Sequence, residues 1–145
     1  HVHMFHEDPF CAQLWYQTHL NAPVYAGRTS QTPLTEATCT VPRGPDRSWP
    51  ALEVGGMFRS PSAAVVFGDV ALPCYMRQGD QPLVPTRGHL YDHIALAVRD
   101  LDAWIAKLRG EGVTVLEPPY RLGDTRAVMI EGPSREAIEL VEVAA

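Results

Sequence analysis

Residues 91–113 read YDHIALAVRDLDAWIAKLRGEGV, and this stretch decides the fold. Apolar residues over 91–98 predict a strand, in which alternate side chains lie on opposite faces. Asp100 then predicts the start of a helix over residues 101–109, which has apolar side chains at helical spacing and ends at Gly110 and Gly112. Three strands are predicted to follow, over residues 113–116, 126–131 and 137–143, with a turn at 132–134. The second half of the chain is therefore predicted to have the order βαβββ.

The first half of the chain repeats this order. A strand beginning at His1 corresponds to the strand beginning at His93, and Asp8 corresponds to Asp100 as the residue that caps the next helix. That helix is predicted over residues 9–20, with Pro9 at its first position, Asn21 at its end, and an apolar face made by Phe10, Leu14 and Trp15. Residues 63–77 predict two strands around a turn at 68–69.

We therefore predict an α+β chain of two βαβββ modules that form one domain over residues 1–145. Module 1 covers about residues 1–77, a linker residues 78–88, and module 2 about residues 89–145. In this alignment His6 corresponds to Val98, so we expect it to face the helix and to be structural.

Residues 22–62 stand outside the repeat. They contain six of the 13 prolines of the chain, and strand-like pieces at 37–41 and 51–54 interrupt them. Such a long, proline-rich connection is equally typical of a lid over a binding site and of a decorated surface loop.

Composition limits the partners and the compartment. Seventeen acidic against 12 basic residues give a net charge of −5, which argues against a nucleic-acid partner. No apolar run approaches the ~18 residues of a membrane span, so we expect no membrane association. A cytoplasmic location is expected. Because the sequence begins at His1, a removed export signal is the alternative. The three cysteines, Cys11, Cys39 and Cys74, show no C-x-x-C spacing. We expect free thiols and no disulfide or cysteine-based zinc site.

Three segments, residues 1–16, 91–113 and 123–143, resemble the vicinal oxygen chelate superfamily. This superfamily includes glyoxalase I, type I extradiol dioxygenases, fosfomycin-resistance transferases and methylmalonyl-CoA epimerase. The H-x-A-L-x-V-x-D pattern over residues 93–100 and the IEL at 138–140 carry the resemblance. It implies two βαβββ modules that form a cupped mixed sheet around a metal site, but it does not specify the reaction.

The resemblance implies three metal ligands: His1, His93 and Glu139. Two imidazoles and one carboxylate suit a divalent transition metal, with Fe(II) or Mn(II) favoured and Zn(II) or Ni(II) as alternatives. Strand alternation places His93, Ala95 and Ala97 on one face, where small side chains leave room for a ligand. His3 shares the face of His1 and is either the true ligand or an acid/base.

The number of ligands favours one reaction over the others. Glyoxalase I members carry a further ligand Glu in the last strand of the first half, but residues 70–76 (VALPCYM) contain no such donor. Two His and one Glu form the facial triad of non-haem iron oxygenases. We therefore predict an extradiol dioxygenase that cleaves catechol-type substrates with O2, with His3, Tyr91 or Tyr120 as the acid/base. In the extradiol pattern a Tyr stands near the position of Met129, so here another residue must supply that hydroxyl, or else the reaction differs.

Two other functions remain open. One is a glyoxalase I-like lyase or isomerase, and the other is a metal-free drug-binding resistance protein. A fosfomycin-type transferase ranks lower, because the second half is poor in the Lys, Ser and Arg residues that bind a phosphonate. We expect a homodimer whose small-molecule partner is an aromatic diol or another substrate with vicinal oxygens.

Overall fold

A computed structural model describes residues 1–25, 34–42, 52–54, 57–77 and 81–144. The chain divides into two compact units, His1–Leu83 and Val84–Ala145, and the division falls within the predicted linker. Across the described residues, no helix is both long and apolar enough to cross a membrane.

Unit 1 is built on a short mixed sheet. Its elements are β1 (Met4–His6), α1 (Pro9–Leu20), β2 (Leu52–Val54), β3 (Met57–Arg59), β4 (Ser62–Phe67) and β5 (Val70–Met76). The sheet order is β1-β5-β4, with β1 parallel and β4 antiparallel to β5, while β2 and β3 form a separate antiparallel pair. Beside β4, an isolated bridge joins Val24 to Val65. The described part of residues 22–62 thus departs from the regular βαβββ order.

The first strand is shorter than predicted, because β1 begins at Met4 and not at His1. Arg77 donates its backbone N–H to the His6 carbonyl at 2.7 Å, which fixes the phase of the parallel ladder. When this pattern is continued four residues back along both strands, the N–H of residue 73 is the donor that faces the Val2 carbonyl. Residue 73 is a proline and has no N–H, so this bond cannot form. His1 and His3 therefore precede the regular strand.

Helix α1 has the predicted bounds, but its buried face differs. Asn21 ends the helix in the left-handed conformation, as predicted. Of the expected face, Phe10 is buried and Leu14, half-buried, packs against the same apolar cluster, whereas Trp15 is only half-buried. The apolar residues that become buried are Phe10, Ala12, Tyr16 and Leu20, joined by Gln13. The tertiary packing of α1 on β4 and β5 overrides the apparent apolar stripe. His6 is buried in this unit, in agreement with its predicted structural role.

The expectations for residues 37–41 and for the cysteines were wrong. A turn closed by bonds from the Thr38 and Cys39 N–H groups to the Thr35 carbonyl replaces the strand-like piece. This turn brings Cys39 against α1, where it forms a disulfide with Cys11, and Cys74 is a buried thiol. Spacing along the chain could not reveal the pair, because 28 positions separate two cysteines that only the fold brings together.

Unit 2 has the full predicted order. Its elements are β6 (His93–Val98), α2 (Leu101–Gly110), β7 (Val115–Leu122), β8 (Thr125–Glu131) and β9 (Ala137–Glu142). The sheet order is β6-β9-β8-β7, with β6 parallel to β9. Asp100 caps α2 through the Ala103 N–H at 3.0 Å, and Leu101, Ile105 and Leu108 are the buried residues of the helix. The α+β class and the βαβββ arrangement of this unit are confirmed.

Candidate metal centre

The register of β6 and β9 places His93 and Glu139 on one face of the unit 2 sheet. His93 pairs with Ala137, and Ala95 pairs with Glu139. Residues 93, 95 and 97 are exposed and alternate with half-buried residues, as the sequence predicted. Because paired residues point to the same side of a sheet, His93 and Glu139 are diagonal neighbours beside two small alanines.

The two side chains approach each other through specific atoms. His93 Nε2 lies 3.5 Å from Glu139 Oε2, while His93 Nδ1 lies 2.8 Å from Asp92 Oδ1. Glu139 is buried, and its other oxygen, Oε1, accepts a hydrogen bond from the Tyr120 hydroxyl. Each oxygen of Glu139 therefore faces a different partner.

Tyr120 reaches Glu139 because β7 is irregular. Glu117 pairs with Met129 and Tyr120 pairs with Ala127, so three steps on β7 oppose two on β8. In a regular strand, residues three apart point to opposite faces; the shift at Pro118 and Pro119 puts both on the face of Glu139. Burial foremost, and then the bond to Glu139, raise the pKa of Tyr120, so its phenol is protonated at neutral pH.

A charged cluster that the sequence analysis did not identify lies behind His93. Arg87 donates to Asp92 Oδ1 and to Glu117 Oε1, and the Gly88 N–H donates to Asp92 Oδ2 at 2.6 Å. The bond from Gly88 first, then the contact with His93 and the pairing with Arg87, hold the pKa of Asp92 at about 2. The position of Asp92 directly before the candidate ligand His93 is the one feature of the sequence that could have indicated this cluster. The sequence pattern gave no indication of Arg87 or Glu117.

The donor set of unit 2 fits a divalent metal ion. Two ligand atoms that each lie about 2.1 Å from one ion are about 3.0 Å apart at the right angle of a facial triad and about 3.4 Å apart at a tetrahedral angle. The 3.5 Å between His93 Nε2 and Glu139 Oε2 lies just above this range. Within the part of the chain that the structure describes, no three His, Cys, Asp or Glu side chains form a metal-ligating group, so unit 2 supplies a pair of donors.

The remaining predicted site residues lie elsewhere. His1 and His3 are exposed in unit 1, with their Nε2 atoms 3.0 Å apart and the His3 ring 4.9 Å from that of Tyr75. Tyr91 lies in the segment before β6 and is 63% exposed. His6 pairs with Met76 as Val98 pairs with Glu142, so Pro73 corresponds to Glu139 and offers no donor side chain.

A family model identifies the group to which these two units belong. The model of the Glyoxalase/Bleomycin resistance protein/Dioxygenase superfamily matches residues 1–140. The chain belongs to this superfamily. The match spans both units, including His93 and Glu139, and it confirms the resemblance found in the sequence. A comparison of this chain with curated proteins found no match.

Solved structures of other superfamily members share the fold. A glyoxylase/bleomycin resistance protein/dioxygenase domain from Frankia is 16% identical, with a TM-score of 0.65 over 99% of this chain and 90% of that chain. A variant of the fosfomycin resistance protein FosX from Listeria monocytogenes, solved with Mn(II) and 1S,2S-dihydroxypropylphosphonic acid, is 14% identical, with a TM-score of 0.64 over 99% and 90%. TioX from a Micromonospora species is 13% identical, with a TM-score of 0.60 over 97% and 94%. At these identities the likeness concerns the fold.

Proposed function

We propose that this chain is a divalent-metal-dependent enzyme that acts on a substrate with two adjacent oxygens, and that extradiol cleavage of a catechol is its reaction. The observation that carries the proposal is the 3.5 Å approach of His93 Nε2 to Glu139 Oε2, on a face left open by Ala95 and Ala97. His1 is the third ligand predicted from the sequence.

The residues of unit 2 have separate roles in this proposal. A divalent ion, when bound, supplies a Lewis acid whose free positions accept two adjacent substrate oxygens. His93 offers Nε2, and Glu139 offers Oε2 together with its negative charge. Tyr120 holds the other oxygen of Glu139 and keeps a proton close to the reacting atoms. Tyr120 thus supplies the hydroxyl that the extradiol pattern has near the position of Met129, and it is better supported as the acid/base than the exposed Tyr91.

The charges around the site favour an uncharged planar substrate over a phosphonate. Among the described contacts, Arg87 is the positively charged side chain near this face. It is paired with two carboxylates, those of Asp92 and Glu117. A guanidinium that is already paired with two carboxylates has no strong site left for a phosphonate oxygen. Ala95 and Ala97, which are exposed on this face, add small apolar surface against which an aromatic ring can pack.

The proposal is tested by metal binding followed by oxygen uptake. Metal-free protein is titrated with Mn(II) or, without air, with Fe(II), and thermal stability is measured at each step. Oxygen consumption is then followed with catechol and alkylcatechols. We expect a rise in melting temperature and oxygen uptake in the wild type. Both should be lost in His93→Ala and Glu139→Gln, while Asp69→Asn, in the unit 1 turn, keeps both.

The outcomes separate the proposed reaction from its alternatives. Metal binding without oxygen uptake on any catechol rejects the dioxygenase, and turnover of a methylglyoxal–thiol hemithioacetal with Ni(II) or Zn(II) then indicates an isomerase. If no metal raises the melting temperature and His93→Ala behaves as wild type, the metal-dependent enzyme is rejected and a metal-free drug-binding protein is favoured.

A further inference from the structure

We propose that Asp92 is a positioning residue that keeps the proton of His93 on Nδ1, and that Arg87 holds Asp92 for this task by joining it to Glu117 on β7. The inference rests on the proposed function in one respect, because it assumes that His93 binds a metal through Nε2. The juxtaposition that carries it is the chain of contacts from Glu117 through Arg87 and Asp92 to His93.

The side chain of Asp92 is fixed at both of its oxygens. Oδ2 accepts from the Gly88 N–H at 2.6 Å, and Oδ1 receives Arg87 and lies 2.8 Å from His93 Nδ1. Gly88 has a φ of +82°, a conformation that favours glycine, so the sequence is adapted to aim this N–H at Asp92. An ionised carboxylate only accepts hydrogen bonds, so the bond at Nδ1 requires the proton to be there.

The backbone of Asp92 is fixed as well. The Thr86 hydroxyl donates to the Asp92 carbonyl at 2.7 Å and accepts from the Ala137 N–H at 2.9 Å. Thr86 therefore ties the residue before His93 to the first residue of β9, the strand that carries Glu139. Side-chain and backbone bonds together leave Asp92 little freedom to release the imidazole.

The consequence concerns the atom that faces Glu139. A neutral imidazole in water prefers its proton on Nε2, and a proton there would occupy the lone pair needed for a metal. A carboxylate at Nδ1 reverses this preference and fixes the ring orientation, and loss of such a partner typically costs 10–100-fold in metal affinity. Arg87 adds a second effect, because it links the β6 side of the site to Glu117 on the shifted part of β7.

Two measurements test the proposal independently of activity. Long-range 1H–15N correlation spectra of metal-free, 15N-labelled protein report which nitrogen of His93 is protonated. We expect the Nδ1–H tautomer in the wild type and a shift toward Nε2–H in Asp92→Ala. Mn(II) affinity should fall 10–100-fold in Asp92→Ala and by a smaller factor in Arg87→Gln. The matched control Asp69→Asn should change neither.

Each result decides between this proposal and the one on which it rests. A wild-type His93 that is protonated on Nε2, or an Asp92→Ala variant with unchanged tautomer and unchanged Mn(II) affinity, overturns the positioning role. If Asp92→Ala does not fold, Arg87→Lys, which keeps the charge but loses the two-pronged geometry, must lower the Mn(II) affinity for the proposal to stand. If the wild type shows the Nδ1–H tautomer but binds no Mn(II), the proposed function fails while the positioning of His93 is upheld.

Discussion

Tyr120 donates its hydroxyl proton to Glu139 Oε1 from a strand that reaches this carboxylate only because its register shifts between Glu117 and Tyr120. Tyr120→Phe removes the bond and keeps the ring. The partner of a ligating carboxylate orients it, so we expect Mn(II) affinity or turnover to fall about 10–100-fold. Isothermal titration with Mn(II), and oxygen uptake with catechol, measure the two effects.

The control for this prediction is Tyr25→Phe, a partly exposed tyrosine of unit 1. It should leave both quantities unchanged. Wild-type affinity and turnover in Tyr120→Phe would show that the bond to Glu139 contributes nothing to the site.

His6 makes the stability of the protein sensitive to acid. Burial lowers the pKa of His6 from 6.5 to about 4, so the folded chain keeps this ring neutral. The unfolded chain takes up a proton below about pH 6.5, and protonation therefore favours unfolding as the pH falls. Above pH 6.5, His6 should not affect the free energy of unfolding. Between pH 6.5 and 4, its effect should lower the free energy of unfolding by up to about 3 kcal/mol. Urea denaturation at a series of pH values measures the slope.

Two variants isolate the contribution of His6. His6→Met should flatten the pH dependence over this interval, whereas His89→Gln, at an exposed loop position, should retain it. An identical slope in His6→Met and the wild type would exclude His6 as the source.

The disulfide between Cys11 and Cys39 should stabilise unit 1. It joins α1 to a segment that packs on a small apolar cluster, which contains Phe10 and Ala63. In the loop-entropy model, a cross-link with a sequence separation of 28 lowers the entropy of the unfolded chain. This raises the free energy of unfolding by about 3–4 kcal/mol. Reduction, or Cys11→Ala combined with Cys39→Ala, should therefore lower the melting temperature. Cys74→Ala should respond to a reductant as the wild type does, and an unaffected melting temperature after complete reduction would contradict the prediction.

A side chain at Gly132 should destabilise unit 2. A Cβ at this position would lie 2.5 Å from the carboxyl carbon of Glu136, which is buried and accepts from the Ser134 N–H at 2.8 Å. Gly132→Ala should displace Glu136 and cost about 1–3 kcal/mol in the free energy of unfolding. Gly110→Ala, where a Cβ meets open space, should cost nothing. Equal stability of the two variants by urea denaturation would refute the steric argument.

The elements of unit 2 were predictable because they depend on local chemistry. The alternation over residues 93–98, the Asp100 cap and the turn at Gly132 are each written in a few consecutive residues, and the structure has all three. His93 and Glu139 were indicated by the resemblance to the superfamily, and the register of β6 and β9 places them on one face. Proline-rich residues 22–62 lack a local pattern of this kind, and their described part departs from the repeat.

The sequence by itself determined the class of fold and the order of the elements in unit 2, because periodicity and capping act over neighbouring residues, and its resemblance to a superfamily indicated the residues at the centre of the proposed site. Only the tertiary structure decided which distant groups meet: Cys11 with Cys39, Tyr120 with Glu139, and Arg87 with both Asp92 and Glu117. The missing N–H of Pro73 and the register shift at Pro118 and Pro119 act across strands, through ladders that exist only after the chain has folded.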